Sequence, residues 1–463
     1  MSRQSLFGVG LQDKSLNVSA QRRLNLWLEF RPEDDGVRVV AHGTPGLAVP
    51  LVDFGDTPPR GLHSLGDFMY VVHRGTLWQV NNAGVATNRG TLLTTTGRVY
   101  FADNGTIIMI VDGQFGYTFN TGTNAFAQIV SANFNAGNSV TWQDRYFIYD
   151  KVNSGRFYIS ALDDPSTWSA LDFANAEASP DNLVRVMADH GELILFGDLT
   201  IEFWGNSGAA DFPYVRLGSS AVEWGLAARE SLVKFETSLA FLGKNRMGEA
   251  QVVVLNGYTP QNVGSQDFLD AINKYATLSD ATAFSYMQNG HAFYQINFPT
   301  ANKSWLYDGG TKVWSEVGYD NSRHRGNMST LFLGKTYVAD YSNGRIYKLD
   351  PTSFTDNGTS IPRELISRHL AGDNYIPISQ LWVDMETGVG TTSGQGSDPQ
   401  VMLACSNDFG HSYGPEIWRS AGPLGNYGWR AWWNRLGSDY QWTFKLRITD
   451  PVKVAIKGDG YVQ

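Results

Sequence analysis

Apolar and polar positions along the chain fall into short runs separated by clusters of Gly, Asp, Asn and Ser. Residues 171–225 hold the fullest set. Leu183-Val184-Arg185-Val186-Met187 reads as a strand and Asp189-His190-Gly191 as a turn. Glu192 to Phe196 is an apolar run too short for a helix, and Gly197-Asp198 turns the chain again. Residues 200–204 alternate, Asn206-Ser207-Gly208 closes that edge, and Tyr214-Val215-Arg216-Leu217 is a last strand. Short runs rich in Val, Ile, Phe, Trp and Tyr between turn-forming residues are the strand-and-hairpin signal. Four antiparallel strands in about 45 residues make one blade of a β-propeller.

The unit recurs. An apolar strand, a Gly/Asn/Asp turn and an aromatic-bearing strand appear at 68–78, 107–119, 146–160, 183–204, 239–254, 292–309 and 336–347. The pattern predicts about seven blades, with six possible, over residues 56–355. A helix interrupts it at 265–275, where Phe268, Leu269, Ile272 and Tyr275 share a face.

Outside the repeats the rhythm differs. Residues 21–30 alternate as one strand, with Leu24, Leu26 and Leu28 on one face and Trp27 on the other. Turn clusters follow at 31–36 and 43–46. Beyond residue 355, strands are expected at 378–385, 401–406, 429–436 and 442–449, with a Gly/Ser/Thr-rich loop at 387–399. The chain therefore reads as all-β: a propeller at 56–355, a β-sandwich-like platform domain at 356–463, and an N-terminal arm at 1–55 packing on the platform.

Composition narrows the function. Of 463 residues, 42% are hydrophobic and 17% charged, enough for a well-filled core. The net charge of −9 argues against a surface that grips nucleic acid, though not against an acidic wall past which it slides. Cys405 is the only cysteine, so no internal disulfide can form. No apolar run is long enough to span a membrane, and MSRQSLFGVG lacks the apolar core of a signal peptide. Synthesis in the cytoplasm is the expectation.

Candidate chemistry is thin. Ser406-Asn407-Asp408-Phe409-Gly410-His411-Ser412-Tyr413 fits the Asp-box pattern of sialidases and other propeller proteins. Its Asp accepts turn amides and its Gly supplies a positive φ, so it reads as a turn. Glycoside hydrolysis needs two carboxylates about 5–10 Å apart, but Asp163-Asp164 and Asp34-Asp35 both sit in turn sequences. His190 and His291 are expected at equivalent inter-strand turns of their blades, and no metal-ligand spacing occurs. Gly8-Val9-Gly10 lacks the context of a dinucleotide fingerprint. Ser322-Arg323-His324-Arg325-Gly326 reads as a solvated basic loop, with a docking patch as the alternative. Trp429, Trp432 and Trp433, with Arg430 and Arg435, offer more aromatic surface than a small sandwich hides, so they suggest core and a subunit interface rather than a nucleic-acid stacking platform. No catalytic, cofactor-binding or metal residue is assigned.

Several segments together carry a resemblance: Asp172-Phe173-Ala174, Ala176-Glu177, Pro180-Asp181, Leu195-Phe196-Gly197, Glu202-x-Trp204, Asn206-Ser207-Gly208, Phe212-Pro213 and Gly225. Others lie further out, among them Gly43-Thr44-Pro45-Gly46-Leu47, Val111-Asp112-Gly113, Phe298-Pro299-Thr300 and Thr449-Asp450-Pro451-Val452. In this order the chain resembles the packaged-DNA stabilisation proteins, the tail-hub or nozzle subunits, of short-tailed bacteriophages. That resemblance implies a virion tail protein without enzymatic activity or cofactor. It implies a ring, expected to be a hexamer, below the portal and its adaptor, contacting tailspikes or fibres and a needle or plug. Genomic DNA would pass through the lumen without base readout. The alternative is a glycan-binding or sialidase-like propeller, motivated by the Asp box and the many Trp and Tyr.

Overall fold

The computed structural model describes residues 2–33, 36–176, 181–218, 221–319 and 321–463. Asp34-Asp35, Glu177 and Pro180 lie outside the described residues. Antiparallel meanders occupy residues 61–91, 100–128, 137–175, 183–216, 225–262 and 282–319, and the strands at 326–350 form a further unit. Six of these seven units stand as separate sheets; the one at 282–319 is hydrogen-bonded onward into a larger sheet. Neighbouring units touch in cyclic order, and Gly326–Phe332 meets Gly61–Leu65 to close the circle. There Ser64 Oγ lies 2.9 Å from Thr330 Oγ1. The molecule is an all-β propeller with a sandwich domain.

The hairpins obey turn chemistry. Asp144-Arg145, His190-Gly191, Asn289-Gly290 and Leu333-Gly334 each place two consecutive residues at positive φ, the twist-matching geometry of a two-residue hairpin. His190 therefore corresponds to Asn289. His291 opens the next strand, paired with Gln288 as Glu192 is with Asp189, so the two histidines are not equivalent. The strands behind these turns are buried on both faces, as at Phe147, Ile148 and Tyr149, each fully enclosed. Burying one such side chain is worth roughly 1.5–3 kcal/mol. Adjacent units approach most closely at Gly225, where an added Cβ would lie 1.8 Å from the Asp198 carbonyl oxygen.

Closure overturns one expectation. The seventh unit is completed by Gly46–Asp53, which runs antiparallel to Arg345–Asp350 in a register from Arg345↔Asp53 to Asp350↔Gly46. The arm expected to pack wholly on the platform thus supplies a propeller strand. Hydrogen bonding strands from the two ends of the propeller in one sheet locks the circle.

The rest of the arm builds the sandwich. Ala455–Val462 is flanked by Ser2–Ser5, Gly36–Gly43 and Leu370–Met385, and Gly36–Gly43 pairs with Leu26–Glu33. The two strands expected at 429–436 and 442–449 are one 17-residue strand, Trp432–Ile448. Gly437, at φ 108, interrupts its register without ending it. Its first half pairs with Leu370–Met385, its second with Gln400–Ser406 and Arg363–Ile366. It serves two sheets, enclosing Leu6, Phe7, Leu381, Val401, Trp433 and Phe444.

The strand expected at 21–30 is broken at Asn25, whose φ is 56. Arg22–Leu24 lies between Val313–Tyr319 of the sixth unit and Arg363–Ile366 of the sandwich. Asn25 holds the corner: its Nδ2 donates to the carbonyls of Gly318 (3.0 Å) and Pro362 (2.7 Å), and its Oδ1 accepts from Gly318 N (2.9 Å). Beyond that corner Leu26, Trp27 and Leu28 are all buried, not alternating. The helix is Gln266–Ile272, capped by Ser265, with Phe268 and Ile272 fully buried.

Candidate functional site

The units converge on a cavity. It has a volume of about 280 Å³ and lies among Leu62, Tyr100, Arg185, Phe284 and Met328, contributed by five of the units. Its polar groups are engaged with one another. Arg98 pairs with Glu230 at 3.1 Å, and the buried Tyr100 hydroxyl also donates to Glu230. Arg185 lies 5.0 Å over the Tyr100 ring and donates to the Leu232 carbonyl at 2.7 Å. Burial and the Glu230 charge push the Tyr100 hydroxyl well above its ordinary pKa. Asp103 is bound to His63 at 2.7 Å. Glu230 and Asp103 are thus engaged with internal partners.

The seam between propeller and sandwich is a charge ladder. Lys303 Nζ lies 2.7 Å from Glu316, Arg22 Nε 2.6 Å from the same carboxylate, and Arg22 Nη1 2.8 Å from Glu364. These residues sit on neighbouring strands of the continuous sheet, so the alternating signs bridge both domains. Burial alone would lift the Glu316 carboxyl, but the hydrogen bonds and charges of Arg22 and Lys303 outweigh it and hold it below its ordinary value.

One buried arginine fastens the arm. Arg23, 1% exposed, donates to the carbonyls of Gly8 (2.9 Å), Val9 (3.0 Å), Gly10 (2.7 Å) and Trp314 (2.7 Å). Burial lowers its pKa to about 10. Gly8-Val9-Gly10 is therefore a carbonyl cage. Arg363, also 1% exposed, is lowered by burial to about 10, with the Asp356 charge opposing. Burial raises the Asp356 carboxyl to about 6, while the Leu47 amide and the charges of Arg325 and Arg363 pull the other way.

The basic segment 322–326 is not a solvated loop. Arg323 and His324 are buried, and Arg325 is half-buried with its guanidinium 3.6 Å over Tyr319 and 3.5 Å from Asp340. Burial brings His324 down to about 4, so it is neutral at ordinary pH. These residues link the last two propeller units and are enclosed between them; charge composition alone misplaced them.

The Asp box is a hairpin lock. Asp408 accepts from Ser412 N (2.9 Å), Ser412 Oγ (2.5 Å) and Ser406 Oγ (2.7 Å), and Phe409-Gly410 takes positive φ. The Ser412 hydrogen bonds bring the Asp408 carboxyl down to about 2. Asp163 turns the chain at φ 57 and pairs with Arg145, while Asp164 accepts from Ser166 and Thr167. Among the described residues no three His, Cys, Asp or Glu side chains are grouped to hold a metal. No described helix is long and apolar enough to cross a membrane.

The tryptophans divide. Trp433 is fully buried and donates to the Ile417 carbonyl at 2.8 Å. Trp432 is half-buried against Trp382, and Trp429 is exposed. Nearby Trp418 and Tyr427 are also exposed, at 55% and 75%. Sequence reasoning missed Trp418 and Tyr427, which lie in a strand and a loop without any repeat signal.

Meanders closed in a circle, and a sandwich that shares a continuous sheet with one of them, define a β-propeller–sandwich protein. Residues 48–354 match the family described as Bacteriophage P22 Gp10, beta-propeller, and residues 362–459 match Bacteriophage P22 Gp10, beta-sandwich. The chain belongs to the bacteriophage P22 Gp10 family, and is a phage tail structural protein. No curated protein matches it. Solved structures of similar shape include YCF48 from Cyanidioschyzon merolae, 12% identical, covering 64% of this chain and 97% of that one at a TM-score of 0.43. The computationally designed Ika8 protein is 9% identical, covering 71% and 99% at 0.39. Likenesses this distant carry no argument about function.

Proposed function

We propose that the chain is a tail-hub subunit that forms a closed, sixfold ring below the portal and adaptor. The ring extends the DNA channel, retains the packaged genome and anchors tailspikes or fibres and a plug. The observation that carries this reading is the family match to both domains in order along the chain. The seam supports it: Arg22, Arg23 and the closing strand Gly46–Asp53 tie propeller and sandwich into one body able to bear load. In this reading DNA runs between subunits rather than through a propeller. At −9 per subunit, a ring offers DNA a weakly repelling wall, whereas a basic lumen would bind phosphates and stall ejection. The subunit is made in the host cytoplasm and ends in the virion.

Particles lacking this subunit should package DNA normally and then lose it, as measured by nuclease-protected DNA per particle over time. The isolated chain should bind duplex weakly and without sequence preference. Empty precursor shells, or tight sequence-specific binding, overturn the reading.

A further inference from the structure

The sandwich carries two exposed aromatic patches of opposite charge. The first gathers Trp429 (44% exposed) and the half-buried Trp432 with Arg419 and Arg430 about one open hollow. Trp429 Nε1 donates to Ser420 O at 2.9 Å and Arg419 Nε to Trp432 O at 2.8 Å, so the two are held beside one another. Arg430 lies over the Trp432 and Trp382 rings, at 6.0 and 5.9 Å. Among the described residues neither arginine has a carboxylate partner.

The second patch is Tyr375 and Tyr440, 60% and 48% exposed with ring centroids 4.1 Å apart. Asp373 and Asp439 flank it. A register shift between Ala371 and Ile376 pushes 372–375 outward, presenting Asp373 without an ionic partner among the described residues. Asp439 accepts from Asn407 Nδ2 at 2.9 Å. Trp432 and Tyr440 share one strand; at about 3.3 Å per residue the patches lie roughly 25 Å apart.

We infer that these patches are the two halves of one head-to-tail contact, the cationic aromatic patch of one copy seating on the anionic tyrosine pair of the next. The inference rests on the ring reading above. A closed ring of identical subunits needs two unlike, mutually complementary surfaces on each copy. Trp, Tyr and Arg are the residues on which such contacts concentrate their energy. Opposite charge beside each patch sets the pairing and disfavours like-on-like association. The arginine pair and the acidic tyrosine pair that complements it lie on the same domain.

The test uses the full chain in tail assemblies released from particles and weighed by native mass spectrometry. Arg430→Asp and Asp373→Arg, each alone, should lower the ring population at least about ten-fold, and the two together should restore it. Trp429→Ala should lower it without changing the melting temperature of the free subunit. Rings unaffected by either single reversal overturn the inference while leaving the ring intact. Loss of an adaptor or fibre from otherwise normal rings also overturns it, assigning the patches to another protein. A wild-type chain present as a single copy overturns the ring reading itself.

Discussion

The propeller units and the seam are built from the same kind of strand by opposite means. In the fourth unit, Leu183–Asp189 pairs with Glu192–Gly197 across a two-residue turn, and every later pairing joins sequence neighbours. At the seam, Arg22 reaches partners 294 and 342 residues further along the chain, Glu316 and Glu364. Local pairing needs only turn chemistry and alternation, while the seam needs the whole chain in place first. Charge is handled differently as well. At the Asp163-Asp164 turn it is met by neighbours in the same unit, Arg145, Ser166 and Thr167; at the seam it is buried and answered by carbonyls or opposite charges from distant segments, as at Arg23 and Glu316.

The largest expected effect comes from removing the long-range partner. Deleting residues 1–53 should abolish soluble folding of both domains, because the seventh unit loses its outer strand and the sandwich loses its arm strands. Recovery of a cooperative melting transition would show the units to be self-sufficient. Arg23→Met should cost about 4 kcal/mol, since four carbonyls lose their donor at about 1 kcal/mol each; chemical denaturation measures it. Gly225→Ala should cost about 1–3 kcal/mol through overpacking, with faster amide exchange confined to the fourth and fifth units.

Two buried acids, Asp356 and Glu316, should respond to pH with opposite signs. Asp356, raised to about 6, keeps its proton in the folded state over a range where the unfolded chain has lost it. Its contribution is therefore present below the ordinary carboxylate range and lost as pH rises toward 6, by up to about 3 kcal/mol. Glu316 is depressed, so its contribution is present above the ordinary range and lost as pH falls through its folded value. Asp356→Asn should remove the first slope and Glu316→Gln the second, read by denaturation midpoints from acid to neutral pH. Smallest of all, Arg145→Ala, breaking an exposed pair with Asp163, should change stability by less than about 0.5 kcal/mol.

The sequence by itself determined the repeating hairpins, the capped helix at Gln266–Ile272 and the Asp-box turn. In each, neighbouring residues carry both the backbone geometry and its hydrogen-bond partners: His190-Gly191 makes its own turn, and Ser412 answers Asp408. Only the tertiary structure decided that Gly46–Asp53 closes the propeller, that Asn25 splits a strand between two sheets, and that 322–326 lies inside. It also decided which of three nearby tryptophans is core and which are surface. Those outcomes depend on what a segment meets after hundreds of intervening residues have folded. An arginine reads as solvated until distant carbonyls or carboxylates enclose it, and an alternating run fits two sheets as readily as one until its neighbours arrive.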